Sequence, residues 1–373
     1  MDHSSNRTVL TRDQIDALIA KKRNYRQEIK DLTNKYRYVV VYGCGIILNS
    51  IVDVWNEYIG RRIDYSCDSS SAKWGKVFCG ATCLSPDELT AIKDECAVFV
   101  TMGDFKPVYD LLIERGFPSV NLIYKYDLIS SAFLANHLHD EIASNLCAAY
   151  ELLSDAKSRE VFAAIVNRIL GGSRDPCIMA NVCEAHQYFP PDIIKLSCHE
   201  SFVDIGAFNG DTVLDFAERT QRKFDAVHSF EVDAFNFELL KENIRKMPEH
   251  DRIKIINLGI WDSEGTISYS IGNSNSTVGK GTGKGRVVPL DDVLGNEKVT
   301  FIKMDIEGAE LHALRGSRII IKTQKPKMAV CTYHDFTHLW MIPQYLKGLV
   351  PEYKIYLRHH NPYEYETVCY AVL

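Results

Sequence analysis

The chain has 373 residues, 46% of them hydrophobic and 25% charged, which is the composition of a folded globular protein and not of a disordered or fibrous one. Lys plus Arg total 43 against 49 for Asp plus Glu, a net charge of −6 that argues against an extended nucleic-acid surface. At about 150 residues per domain the length suggests two domains, or at most three.

The opening MDHSSNRTVL lacks the basic and apolar regions of a secretory signal, and no apolar run approaches the ~18 residues that a membrane-spanning helix needs. The expectation is a cytoplasmic chain without a membrane span. Its 11 cysteines are then reduced thiols. Cys79 and Cys83 are the only tight pair, and no second pair or nearby His completes a zinc set, so no metal site is expected there.

Residues 1–35 read as a polar lead and one helix, with a capping-box pattern at Thr11 and Gln14 and apolar Ile15, Leu18 and Ile19 at helical spacing. Lys21, Lys22, Arg23 and Arg26 read as a solvated helix face. Residues 36–130 alternate strands and helices. The strands are expected at 38–42, 63–65, 97–100 and 120–123, and Ser85 with Pro86 starts an intervening helix. Such alternation implies a parallel sheet with helices on its faces, a Rossmann-like domain. Residues 131–198 read as a connector, two helices broken near Ser154-Asp155 and stopped at Gly171-Gly172, then a loop punctuated by Pro190-Pro191.

Residues 199–373 start a second α/β alternation. Strands are expected at 202–205, 226–230, 253–257, 300–304 and 327–331, with a closing pair at 353–357 and 367–372. Gly279–Gly285 reads as a short, basic, flexible loop.

The chemistry concentrates at the strand ends of this second unit. Asp204-Ile205-Gly206-Ala207-Phe208-Asn209-Gly210-Asp211-Thr212 lies between a buried strand and a helix. Gly206 and Gly210 let the backbone turn tightly and approach a ligand, at the sheet edge where open parallel sheets bind ligands. An acid inside the turn suits a cationic group better than a phosphate, so an amino-acid-bearing nucleoside such as S-adenosylmethionine fits better than a dinucleotide. Glu231, ending the next strand, suits the two ribose hydroxyls. Lys303-Met304-Asp305-Ile306-Glu307-Gly308-Ala309-Glu310 adds three acids at the same edge. Asp305 and Glu307 are expected at the rim, and Glu310 is expected to face away along the helix. His334, after the fifth strand, is a candidate general base because imidazole titrates near neutrality.

FVDIGAFNGDT, SFEVD, FIKMDIEGAE and CTYHD together resemble the FkbM-type family of S-adenosylmethionine-dependent methyltransferases. Tyr188-Phe189-Pro190-Pro191-Asp192 and Leu357-Arg358-His359-His360 are similar to members as well, and the resemblance runs from about residue 186 to the end. It implies a class I methyltransferase fold, a seven-stranded sheet with the last strand antiparallel. It also implies that Asp204, Gly206 and Gly210 hold the methionine end of the cofactor, with Ala207, Phe208, Asn209 and Thr212 beside them. Glu231 and Val232 would meet the ribose side, and Asp305 the reactive side. The reaction it implies is O-methylation of a sugar, glycan precursor or natural-product hydroxyl, for which Glu307 and His334 are the candidate bases. A divalent ion on Asp305 and Glu307 would have too few ligands.

Gly43-Cys44-Gly45 begins like a nucleotide-binding turn but has Leu48 where a third glycine belongs. This part resembles the small Rossmann-like domain in front of some sugar acyltransferases that bind nucleotide sugars, and of some FkbM-type methyltransferases. By that resemblance Gly43, Gly45 and Asp68 would contact a nucleotide or nucleotide-sugar. A scaffold or dimerising domain without a ligand is the competing reading. The expected partners are a small-molecule or sugar acceptor, free or nucleotide-linked, and a second copy of the chain, with no nucleic acid. A non-catalytic nucleotide-binding scaffold and an NAD-dependent oxidoreductase are the other functional readings. Leu48 and the lack of a Tyr-x3-Lys set argue against the second of these.

Overall fold

A computed structural model describes residues 10–20, 25–123, 139–170, 178–269, 282–363 and 365–373. The chain forms two compact units. One comprises Arg12–Ala143 and Ile165–Ile178, the other Met1–Thr11, Ser144–Ala164 and Met179–Leu373.

In the first unit the β-branched run Tyr38–Tyr42 is strand β1, followed by β2 (Tyr65–Cys67), β3 (Val77–Phe78), β4 (Ala81–Leu84), β5 (Cys96–Val100) and β6 (Val120–Leu122). The sheet order is β3-β4-β2-β1-β5-β6, parallel throughout except for β3 against β4. Helix Ile46–Tyr58 buries Leu48, Ile51 and Trp55 against Val39, Val41 and Phe99. Leu48 therefore fills the core instead of crowding the glycine turn. The β3–β4 hairpin was not expected. Its two-residue turn uses positive φ at Cys79 (50°) and Gly80 (78°), the requirement of a type I′ turn. Cys79 is thus a turn residue. The single N-terminal helix expected is in fact two, Arg12–Ala20 and Tyr25–Lys35; Lys21, Lys22 and Arg23 lie outside the described residues. Ser85 accepts from Glu88 N at 3.2 Å, and Glu88 accepts from Ser85 N at 2.8 Å, completing the cap before Pro86.

The second unit holds β7 (Ser201–Ile205), β8 (Ala226–Phe230), β9 (Ile253–Ile256), β10 (Gly259–Ile260), β11 (Gly265–Tyr269), β12 (Gly283–Val288), β13 (Phe301–Met304), β14 (Lys327–Cys331), β15 (Lys354–His359) and β16 (Thr367–Val372). Seven of these form one sheet in the order β15-β16-β14-β13-β7-β8-β9, in which β16 runs antiparallel to both neighbours. Each expected strand is present, and the central strands β7 and β13 are buried along their whole length, as strands covered on both sheet faces are. Phe189, Phe202, Phe216 and Phe301 pack as an aromatic cluster on one of them, with Phe202 stacked on Phe216 at 4.6 Å.

The connector is not a separate body. Ser154 N donates to Ile355 O at 2.8 Å, and Leu357 N to Ser158 Oγ at 2.9 Å. The wholly buried Arg358 guanidinium binds Asp155 at 2.7 Å, Asp192 at 2.8 Å and Glu184 at 2.9 Å. His359 is buried and His360 half-buried beside it, and the loss of solvent pushes both imidazoles down to about 4. The Leu357-Arg358-His359-His360 motif is therefore an anchor for the segments at 153–158 and 184–192.

A second small sheet, β10-β12-β11, also went unforeseen. The supposed loop at 279–285 is partly strand β12, while 279–281 lie outside the described residues. A Cβ on Gly285 would sit 2.2 Å from Val232 Cγ2, and one on Gly283 2.6 Å from the Tyr269 ring. These glycines serve close packing, not flexibility. No helix among the described residues is long and apolar enough to cross a membrane. All ten cysteines among the described residues are free thiols.

Candidate active site

Parallel pairing brings the carboxyl ends of β7, β8, β13 and β14 to one edge, with Lys303 opposite Asp204 and Asp204 opposite Ser229. The chain leaves β7 through Gly206 at φ +83°, where a Cβ would stand 2.0 Å from Asp305 O. Only glycine allows the β7 turn to lie this close to the β13 turn. Gly206 N and Ala207 N both donate to Phe230 O at 3.0 Å, and Gly210, at φ +89°, starts helix Asp211–Arg219.

A cavity of about 370 Å³ opens at this edge. Its walls include Gly206, Phe208, Thr212, Glu231, Val232, Leu258, Ile260, Trp261, Lys303, Asp305, Glu307, Tyr333 and Glu366. Glu231 ties two of its walls together. Its Oε2 accepts from Phe208 N and its Oε1 from Asp233 N, each at 2.8 Å. Burial outweighs those hydrogen bonds and pushes its carboxyl up to about 7.

Asp204 lies beneath the cavity. It is wholly buried, and its Oδ1 is 3.0 Å from the Lys303 ammonium. Burial raises Asp204 to about 6; against the cost of its own burial, Asp204 and Asp305 hold Lys303 above its ordinary value, so the pair is ionic at neutral pH. Lys303 Nζ also donates to Gly206 O at 2.6 Å. Asp204 therefore acts on the glycine turn through Lys303, and its expected direct contact with a cationic ligand is replaced by an internal cation.

Asp305 is held by two phenols, accepting from Tyr188 at 2.6 Å and Tyr333 at 3.2 Å. Beside it stands His334, whose side chain is 7% exposed. His334 Nδ1 is 2.8 Å from Glu310 Oε1, and Nε2 is 3.4 Å from Asp305 and 3.6 Å from Glu307. Burial alone would lower this imidazole, but Glu310, Asp305 and Glu307 outweigh it and push it up to about 10. These carboxylates favour the imidazolium form of His334 at neutral pH. Glu310 does not face away along the helix. It is wholly buried, bridges His334 and His338, and is held far below the usual carboxylate range by those imidazoles, against its burial.

Residues 204–353 match the sequence model of the Methyltransferase FkbM domain family. The match lies within the second unit. The fold is also that of the solved FkbM methyltransferase from Methylobacillus flagellatus KT, with TM-score 0.77 and 22% identity over 96% of this chain and 98% of that one. Weaker likenesses include TrmK of M. capricolum in complex with S-adenosyl-homocysteine (12% identity, 48% of this chain and 63% of that one, TM-score 0.28). Another is precorrin-6y C5,15-methyltransferase from Geobacter metallireducens GS-15 (9% identity, 52% and 96%, TM-score 0.32). No curated protein matches the sequence significantly.

Within the matched residues, Gly206, Phe208, Thr212, Glu231, Val232, Asp305 and Glu307 line the cavity, whereas Asp204, Ala207, Asn209 and Gly210 are absent from its lining. Gly210 packs on Leu240, where a Cβ would stand 3.0 Å from Cδ1, and Asn209 O accepts from Asn243 Nδ2 at 2.9 Å. The sequence reading overlooked Lys303, Tyr188, Tyr333 and Glu366. A lysine inside an apolar strand was the one available signal. Asp305, Glu310 and His334 offer ligand-type atoms within 4.8 Å of one another. Glu310 Oε1 is committed to His334 Nδ1 and to Ile306 N at 3.0 Å, so this group is a hydrogen-bonded charge pair.

In the first unit, Gly43 (φ +109°) packs its turn against Thr101 O, which a Cβ would approach to 2.9 Å, while a Cβ on Gly45 would meet nothing within 4 Å. The Asp68 carboxylate is already used. It accepts from Cys44 N at 2.9 Å, Ser70 N at 2.9 Å and Lys73 Nζ at 2.8 Å.

Proposed function

We propose that this chain is an S-adenosylmethionine-dependent O-methyltransferase of a small polar acceptor, working in the reducing cytoplasm, to which its free thiols are suited. The carrying observation is Glu231, a buried carboxylate in the cavity wall that joins the Gly206 turn to the end of β8 through two backbone amides. The cavity fits the cofactor by its chemistry. The carboxylate offers remaining lone pairs to ribose hydroxyls, and Val232, Leu258, Ile260 and Trp261 form an apolar wall for a purine. Gly206, which lets the β7 turn close on the β13 turn, puts bare backbone in the cavity wall for the amino-acid end. When bound, the cofactor supplies an electrophilic methyl on a sulfonium.

The residues then have separable tasks. The Asp204–Lys303 pair fixes the Gly206 carbonyl and with it the turn. Tyr188 and Tyr333 each donate to Asp305 and fix its carboxyl in the cavity wall. Glu307 takes the proton of the acceptor hydroxyl. Burial raises its carboxyl to about 7, which matches a base to neutral pH, while the His334 cation favours its ionised form. S-adenosylmethionine should raise the melting temperature of the protein, and Glu231→Gln should abolish that rise. No rise with the cofactor or with S-adenosylhomocysteine would refute the reading.

A further inference from the structure

Glu366 belongs to none of the motifs above, yet it stands in the cavity wall at the entry to β16. Its backbone is held at φ +66°, a conformation rare outside glycine. Gln187 donates to its Oε2, and the Tyr333 hydroxyl lies 3.5 Å from its Oε1. Tyr333 also donates to Asp305, so one phenol links two carboxylates of the wall. With Glu307, three acids face this end of the cavity.

The cations facing them are already matched. Lys303 is paired with buried Asp204, and His334 with buried Glu310. His334 Nε2 is a buried donor without a hydrogen-bond partner, set against Asp305 and Glu307, and an incoming oxygen would satisfy it. This end therefore carries more acids than cations, and among the described residues that line it there is no cation without an acid partner. A phosphate or carboxylate brought here would meet three acids in a partly desolvated wall. An ammonium group would be matched by them, and its neighbouring hydroxyl oxygen would fill the His334 donor.

We infer, resting on the methyl-transfer reading, that Glu366 and Glu307 form the acceptor subsite, and that the acceptor presents an ammonium group beside its reacting hydroxyl and no anionic group. The test uses the full-length protein saturated with S-adenosylhomocysteine and small probes read by saturation-transfer NMR. Ethanolamine should bind at least ~10-fold more tightly than ethylene glycol, and glycolate should give no signal. Glu366→Gln and Glu307→Gln should each erase that preference while leaving S-adenosylhomocysteine affinity within about twofold, and Glu366→Asp should restore part of it. Thermal melts of each variant report its folding. Glycolate binding as well as ethanolamine, no probe binding at all, or a preference that survives both substitutions overturns the inference. Failure of S-adenosylhomocysteine to bind the unaltered protein instead overturns the methyl-transfer reading, and the same samples tell the two apart.

Discussion

Gly43-Cys44-Gly45 after β1 and Gly206–Gly210 after β7 hold the same place in their sheets, each with an acid at the end of the neighbouring strand. The two acids differ in what they have left to give. Asp68 accepts from two backbone amides and from Lys73, and these donors hold its carboxyl below the usual range against partial burial. Glu231 accepts from two amides and faces a cavity, and burial drives its carboxyl up to about 7. A strand-end acid whose internal partners include a lysine is a structural clasp. One that is buried, raised and facing a cavity is prepared for hydroxyl donors from a ligand.

The largest contrast should come from removing the acids beneath each turn. Asp204→Ala strands a wholly buried ammonium and should cost about 3–5 kcal/mol, read by denaturant unfolding. Asp68→Ala frees a partly exposed lysine and two amides and should cost about 1–2 kcal/mol. Equal losses would break the distinction. Next in size are the glycines. Gly206→Ala drives a Cβ into Asp305 O at positive φ and should destabilise by about 3 kcal/mol or more, with loss of cofactor binding. Gly45→Ala meets open space and should stay within about 1 kcal/mol.

How much of this was legible in the sequence follows from the range of the contacts. The seven strands of the large sheet showed because each is a short run rich in apolar and β-branched or aromatic residues. The sheet β10-β12-β11 did not, since β10 has two residues and β12 carries glycines that read as a loop. Acids at strand ends were visible from local position. Their partners were not, because these lie far along the chain: Tyr188 reaches Asp305 across 117 positions and Lys303 reaches Gly206 across 97. His334 looked like a base because its sequence neighbours do not reveal Glu310 beneath it, 24 positions away.

A smaller effect concerns rate against pH. Turnover should rise as Glu307 loses its proton near pH 7, under the influence of His334, Asp305, Glu310 and Glu366, and level off above. Glu307→Gln should remove that rise. A rise centred near pH 10, where His334 titrates, would restore His334 as the base. The smallest effect is on stability. Glu231, Glu307 and Glu366 are each raised to about 7, so the stability they contribute is full below their unfolded values and is lost as pH climbs through 7. Glu310, lowered, works in the opposite direction and loses its contribution as pH falls below the ordinary carboxylate range. The ligand-free melting temperature should therefore fall between about pH 4.5 and 7 in the unaltered chain, and fall less in Glu231→Gln.

The most direct test of the central claim is calorimetric titration of S-adenosylmethionine into the unaltered protein, Glu231→Gln and Asp68→Asn. The account predicts one site per chain, an affinity at least ~10-fold weaker in Glu231→Gln, and no change in Asp68→Asn. Absence of binding to the unaltered protein, or binding that depends on Asp68 and not on Glu231, would contradict it.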